Sequence, residues 1–262
     1  NGGLPVSKND GISKTLLVAF ALCIVCSVVV STAAVMLKPA QEANKTLDRK
    51  RNILAAAGML DESRSVEEQF AQVKTRVVDL RTGQFTDAVD PASYEQTKAA
   101  KEPGKSTDLS KTEDIAGIGS REHYALVYLV EDGGGDIDKL ILPVRGYGLW
   151  STLYGFIALE SDANTVAGLG FYEHGETPGL GGEVDNPRWK AQWPGKQVYR
   201  DGEVALSLAK GSVDPGSPDA PWRVDGLSGA TLTSRGVTQL VHFWLGEQGY
   251  EPFLNNLKAG EA

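Results

Sequence analysis

The chain has 262 residues, 41% hydrophobic and 23% charged, with a formal net charge of −8 at pH 7. This is a globular composition with room for one large domain or two small ones, and it excludes a disordered or fibrous chain. The acidic balance excludes nucleic acid as an expected partner, because such binding needs a basic surface to displace counterions, and the one basic cluster, Arg49, Lys50 and Arg51, is too short to reverse the sign.

Residues 1–14 read as a short N-terminal tail. From Thr15 to Leu37 no charged residue occurs, and Lys14 and Lys38 bracket the run. A helix of that length spans about 34 Å, enough to cross a hydrocarbon core with every backbone group satisfied internally. A cleaved secretory signal is the competing reading; the run is longer than a usual signal core, although Ser31, Thr32, Ala33 and Ala34 imitate a cleavage site. The only cysteines, Cys23 and Cys26, lie inside this run and read as small apolar residues of a membrane helix. The rest of the chain therefore offers no disulfide and no Cys-ligated metal. With only His123, His174 and His242 besides, no metal site is expected. The cations that follow the span, Lys38, Lys45, Arg49, Lys50 and Arg51, would place the remainder in the cytoplasm by charge alone, a rule that weakens before a long domain.

Residues 38–86 read as a stalk and the start of a soluble domain. The segment 41–60 continues the first helix and stops near Gly58, and 65–80 reads as a helix followed by a strand. The main domain spans 87–262. Its first part, 87–120, is rich in Pro, Lys, Asp, Ser and Gly and reads as irregular chain. Two hairpins follow: 123–130 with 139–146 across EDGGGDID, and 153–160 with 166–174 across SDANT. No helix follows the glycines of EDGGGDID, so they make a turn and not a phosphate loop. After the Gly-rich segment 174–186 and a mixed stretch, 187–224, the last expected element is a helix over 231–246, with Val237, Leu240, Val241, Trp244 and Leu245 at helical spacing. The predicted fold class is α+β: a single N-terminal transmembrane helix, then an antiparallel sheet with flanking helices.

The segment most suggestive of chemistry is DGLSGATLTS, residues 225–234. Ser228 and Gly229 suit a tight turn and Ala230 onward a first helical turn. A helix start exposes unpaired N–H groups at the positive end of the dipole, which suits a phosphate. Thr231 puts a hydroxyl there, so a phosphate could be held or esterified. Ser228 or Thr231 simply capping the helix is the plainer alternative. Ser228 lies in no G-x-S-x-G motif, which argues against a hydrolase. No dinucleotide fingerprint occurs, so the chain is not expected to bind NADH itself.

Asp225, Ser228, Gly229, Ala230 and Thr231 together resemble the flavinylation motif of the FMN-binding domain family, in which the last Thr carries FMN through its phosphate. Two further segments, RGYGLWSTLYGF (145–156) and HGETPGLGGEVDN (174–186), resemble the C-type subunits of bacterial sodium-translocating NADH:quinone reductases, in the same order and behind the same single span. The G-type subunit of the Rnf electron-transport complex is the alternative relative, less similar in the Gly-rich segment. The resemblance implies a redox relay with FMN joined to Thr231, in a membrane complex that oxidises NADH, reduces ubiquinone and exports Na⁺. A non-redox, membrane-tethered binding module is the other class of reading. The resemblance further implies an FAD-dependent flavin transferase that recognises a sequence including Asp225, other reductase subunits as partners, and a bacterial inner-membrane protein whose domain faces the periplasm. It places the isoalloxazine against Glu176, Thr177, Gly179 and Leu180, with Trp150 nearby and Lys210 offsetting the phosphate charge. Thr233 is the rival attachment site, and Arg235, one turn beyond Thr231, is a further candidate phosphate contact.

Overall fold

A computed structural model describes residues 11–262; positions 1–10 of the expected N-terminal tail lie outside the described residues. The described residues divide into two compact units, one ending at Leu47 and the other running from Asp48 to Ala262. Helix α1 runs from Ile12 to Ala56 and continues through Pro39, so span and stalk form one helix. Its apolar part is long enough to cross a membrane and none of it is buried. The stop near Gly58 has a physical cause. Met59 N–H bonds to the Leu54 carbonyl at 2.8 Å and Gly58 N–H to that of Ala55 at 3.1 Å, with Gly58 in the left-handed region, the hydrogen-bond pattern of a Schellman end.

The second unit is built on a six-stranded antiparallel sheet. Helix α2 (Val66–Phe70), capped by the Ser65 hydroxyl, leads into β1 (Val73–Asp79) and β2 (Gln84–Phe85). In the stretch expected to be irregular lie the one-turn helix α3 (Gln96–Ala99) and the paired short strands β3 (Ser106–Asp108) and β4 (Ser120–Glu122); the remainder is turn, bend and irregular chain. The expected hairpins are β5 (Tyr124–Glu131) with β6 (Ile137–Tyr147), and β7 (Thr152–Glu160) with β8 (Val166–Glu173). The sheet order is β2-β1-β5-β6-β7-β8. Strand β5 reads as one unbroken apolar run because both of its faces are covered. Leu126, Tyr128 and Val130 pack with Ile53, Leu54, Ala56 and Ala57 from the end of α1, while Ala125, Val127 and Leu129 face the other core.

Beyond the sheet come α4 (Pro187–Lys190), the antiparallel pair β9 (Tyr199–Arg200) and β10 (Glu203–Val204), and the parallel pair β11 (Ser207–Leu208) and β12 (Arg223–Val224). Helix α5 (Thr231–Leu245) lies on the second face of the sheet and buries all five residues expected from its periodicity. It is not the last element. Helix α6 (Glu251–Ala259) follows, burying Phe253 and Leu254. Pro252 stands in its first turn, where a proline is tolerated because its missing N–H would have had no partner within the helix.

A buried polar cluster pins the irregular stretch to the sheet. Glu122 is fully buried; its Oε2 accepts from Arg145 Nη2 at 2.6 Å and Nη1 at 3.1 Å, and its Oε1 accepts from Gln96 Nε2 at 2.6 Å. Gln96 Oε1 accepts from Leu126 N–H at 3.1 Å, and Trp244 Nε1 donates to the Arg145 carbonyl at 2.7 Å. Removing one member strands a buried charge. Arg145→Ala should therefore lower unfolding free energy by about 3–5 kcal/mol in urea titrations followed by tryptophan fluorescence; a loss below about 1 kcal/mol, the size of an exposed pair, would show that the cluster contributes little.

Candidate functional site

Helix α5 opens without a cap. Ala230 occupies the N-cap position and, among the described residues, no side chain accepts from the first-turn N–H groups. The plain capping role considered for Ser228 or Thr231 is therefore absent. Both residues are exposed, and neither side chain hydrogen-bonds to another described residue. Ser234 takes up the turn instead, its Oγ accepting from Leu227 N–H at 3.0 Å. The start of α5 thus presents unsatisfied donors and one free threonine hydroxyl side by side.

Thr233 has a different environment. It is fully buried, and its hydroxyl donates to Glu176 Oε2 at 2.6 Å. Glu176 is 5% exposed. Its Oε1 accepts from the N–H groups of Leu149 and Trp150 at 3.0 Å and of Ser151 at 3.4 Å. One carboxylate therefore joins the 149–151 turn, the Gly-rich loop and the first turn of α5. Glycines make room for it: a Cβ at Gly148 would lie 2.5 Å from Oε1, and one at Gly181 would lie 2.6 Å from both Oε2 and Thr233 Oγ1. Burial penalises the charged carboxylate, yet the Thr233 hydroxyl and the three N–H groups outweigh it and hold the Glu176 pKa below its ordinary value.

The other residues singled out in the sequence fall into two groups. Thr177, Gly179 and Leu180 sit on an exposed turn in which the Thr177 carbonyl accepts from Leu180 N–H at 3.1 Å and Gly182 N–H at 2.9 Å. Leu180 Cδ2 lies 2.9 Å from where a Cβ on Gly229 would stand, so this turn abuts the motif. Trp150 is 66% exposed, and Tyr147 and Leu232 are also exposed. The second group lines an open cleft of about 800 Å³ that includes Lys210, Asp225, Ser228, Gly229, Thr231 and Arg235. Glu176, Thr177, Gly179, Leu180, Trp150 and the buried Ala230 do not line it. The side chains of Lys210 and Arg235 form no ion pair or hydrogen bond with another described residue. Glu176, expected against the isoalloxazine, directs its carboxylate inward to Thr233 and the 149–151 turn. Leu232 was overlooked, although an apolar residue on the polar side of an amphipathic helix was a legible signal.

The FMN-binding domain family model matches residues 148–246. The C subunit of the Na(+)-translocating NADH-quinone reductase from Pseudomonas aeruginosa is 56% identical over 98% of this chain and 100% of its own length. The chain belongs to this C-subunit family. The protein of the same name from Yersinia pestis is 48% identical over 97% of this chain and 96% of its own. The crystal structure of Shewanella oneidensis NqrC is similar at a TM-score of 0.76 and 39% identity, covering 83% of this chain and 99% of that one. The Pseudomonas and Yersinia relatives match over nearly the whole chain, the membrane-length helix included. The stretch matched by the family model opens at Gly148, beside the Glu176 carboxylate, and closes just after α5.

Because the folded-state pKa of Glu176 is depressed, its contribution to stability is present above the unfolded value of about 4.3 and is lost as pH falls through the folded value. Glu176→Gln removes that titration. In urea titrations wild type should lose stability relative to Glu176→Gln as pH drops below about 4, and equal pH dependence of the two would contradict the clamp.

Proposed function

We propose that this chain is an electron relay carrying FMN in an inner-membrane complex that oxidises NADH, reduces ubiquinone and exports Na⁺, with the FMN phosphate esterified to Thr231 Oγ. The match to the FMN-binding domain and the near full-length identity to the C-subunit relatives support the flavin and the complex. The observation that carries the attachment site is the contrast between two threonines two positions apart: Thr231 is exposed with its hydroxyl free, and Thr233 is buried with its hydroxyl given to Glu176.

The residues around Thr231 fit a phosphodiester-linked flavin. The uncapped start of α5 and the unpaired Lys210 and Arg235 suit an anionic phosphate. Exposed Trp150, Leu180 and Leu232 offer apolar surface to a flat ring. Bound FMN would supply one- and two-electron redox chemistry. Ser228, Gly229 and Ala230 shape the turn that presents Thr231, and Gly179 and Thr177 shape the one that presents Leu180. The modifying partner in this reading is an FAD-dependent flavin transferase, and the other reductase subunits are the partners in electron flow. α1 anchors the chain, and the domain faces the periplasm, since a large following domain can cross despite the cations at its start.

Co-expressed with the transferase, the chain should gain the mass of one FMN less one water and stay fluorescent after denaturing electrophoresis. Thr231→Ala should abolish that fluorescence, with intact Thr233 failing to substitute; a fluorescent Thr231→Ala chain would overturn the assignment. Colourless protein from the same cells would favour a non-redox module. Protease added to spheroplasts should digest residues 48–262, and protection of that domain would place it in the cytoplasm.

A further inference from the structure

Asp225 opens the motif, and its surroundings give it work within the chain. Strands β11 and β12 pair in parallel, Ser207 opposite Arg223 and Leu208 opposite Val224. Backbone bonds extend the pairing: Ala209 N–H donates to the Val224 carbonyl at 2.8 Å, and Gly226 N–H to the Gly211 carbonyl at 2.9 Å. Past Gly211 a side chain takes over, and Val213 N–H donates to Asp225 Oδ1 at 2.7 Å. Asp225 is itself held at both ends. Its N–H donates to Gln192 Oε1 at 3.0 Å, and its carbonyl accepts from Nε1 of the buried Trp189 at 2.9 Å. The carboxylate is thus aimed by the core at the 211–213 segment.

That segment continues directly from Lys210. Lys210, Gly211 and Ser212 line the same cleft as Thr231, and no described acidic group pairs with the Lys210 ammonium. Asp225 also lines the cleft, yet it forms no ion pair with Lys210 or Arg235. A second open depression, bounded by Lys210, Ser212, Asp214, Ser217 and Arg223, shares Lys210 and Ser212 with the cleft, so Lys210 stands at the junction of the two.

We propose that Asp225 is a positioning residue inside the acceptor chain: its carboxylate fixes the 211–213 segment so that Lys210 presents its ammonium to the diphosphate of FAD while Thr231 is modified. The inference rests on the reading above, in which Thr231 takes FMN from FAD. In that step Thr231 Oγ bonds to the phosphorus on the riboflavin side. The bond from that phosphorus to the bridging oxygen breaks, AMP leaves with the electron pair, and the hydroxyl proton passes to a base of the transferase. The diphosphate and its leaving group carry more negative charge than the diester product, so a cation held here favours the transfer over later retention of the flavin. This role differs from a direct contact between Asp225 and the transferase. Accepting the Val213 N–H needs an oxygen at that place, and a neutral amide supplies one.

The test uses the full-length chain, purified in detergent from cells lacking the transferase, then incubated with purified transferase and FAD. Initial rates of mass gain are measured against acceptor concentration. Asp225→Ala and Lys210→Gln should each lower the maximal rate on the order of tenfold while leaving the acceptor concentration at half-maximal rate within about threefold. Asp225→Asn should restore the rate to within about threefold of wild type, and Lys210→Arg likewise. The double variant Asp225→Ala/Lys210→Gln should be no slower than either single, because the two act as one unit. Asp225→Asn as slow as Lys210→Gln would overturn the inference, because the charge itself would then be required; this comparison stands even if Asp225→Ala fails to fold. A rise in half-maximal acceptor concentration at unchanged maximal rate would overturn it too, by making Asp225 a recognition contact. A wild-type chain that gains no mass is a separate failure, that of the attachment reading itself.

Discussion

The Glu176 carboxylate is the hinge of the domain's functional end. A buried carboxylate is tolerated only when hydrogen-bond donors replace the water it has lost. Here three backbone N–H groups and one hydroxyl do so, drawn from two segments distant in sequence, the 149–151 turn and the start of α5. Close contacts at Gly148 and Gly181 allow that approach, so the glycines of both segments serve one charged group. The clamp also divides the threonines. By consuming the Thr233 hydroxyl it leaves Thr231 as the free one at the opening of α5.

The rest of the domain holds this end in place. Helix α5 lies on the sheet through Val237, Leu240, Val241 and Trp244, and Trp244 is tied by its indole N–H to the backbone of β6. The opposite face of the sheet is sealed by the end of α1, the same helix that supplies the membrane-length segment. The Glu122–Arg145 pair and Gln96 draw the turn-rich stretch onto β5 and β6. The exposed Trp150, Leu180 and Leu232 and the cleft of Lys210 and Arg235 therefore stand on a rigid base.

Much of this was legible in the sequence, where local rules govern. The four long strands, the amphipathic α5, the stop at Gly58 and the continuous stalk follow from periodicity and end signals alone. What escaped depends on contacts distant in sequence. Glu176 reads as a polar residue in a loop, and nothing nearby in sequence announces that its partners are Leu149, Trp150, Ser151 and Thr233. Ser228 and Thr231 match a capping signature yet cap nothing, because Ser234 reaches back to Leu227 from within the helix. Asp225 carries no local mark of its bond to Val213. Helix α6 has nine residues, too few for a periodic pattern to mark it. Motif resemblance points to this segment, and the different surroundings of its hydroxyls emerge only from the packing.

Packing buries Thr233 and leaves Thr231 as the motif threonine whose hydroxyl is free, with Ser228 exposed in the turn before it. Trypsin should release residues 224–235 as one peptide holding Ser228, Thr231, Thr233 and Ser234. Fragmentation of that peptide from protein matured with its transferase tests the attachment site most directly. The flavin phosphate should sit on Thr231 alone; its appearance on Thr233 or Ser228 would overturn the assignment.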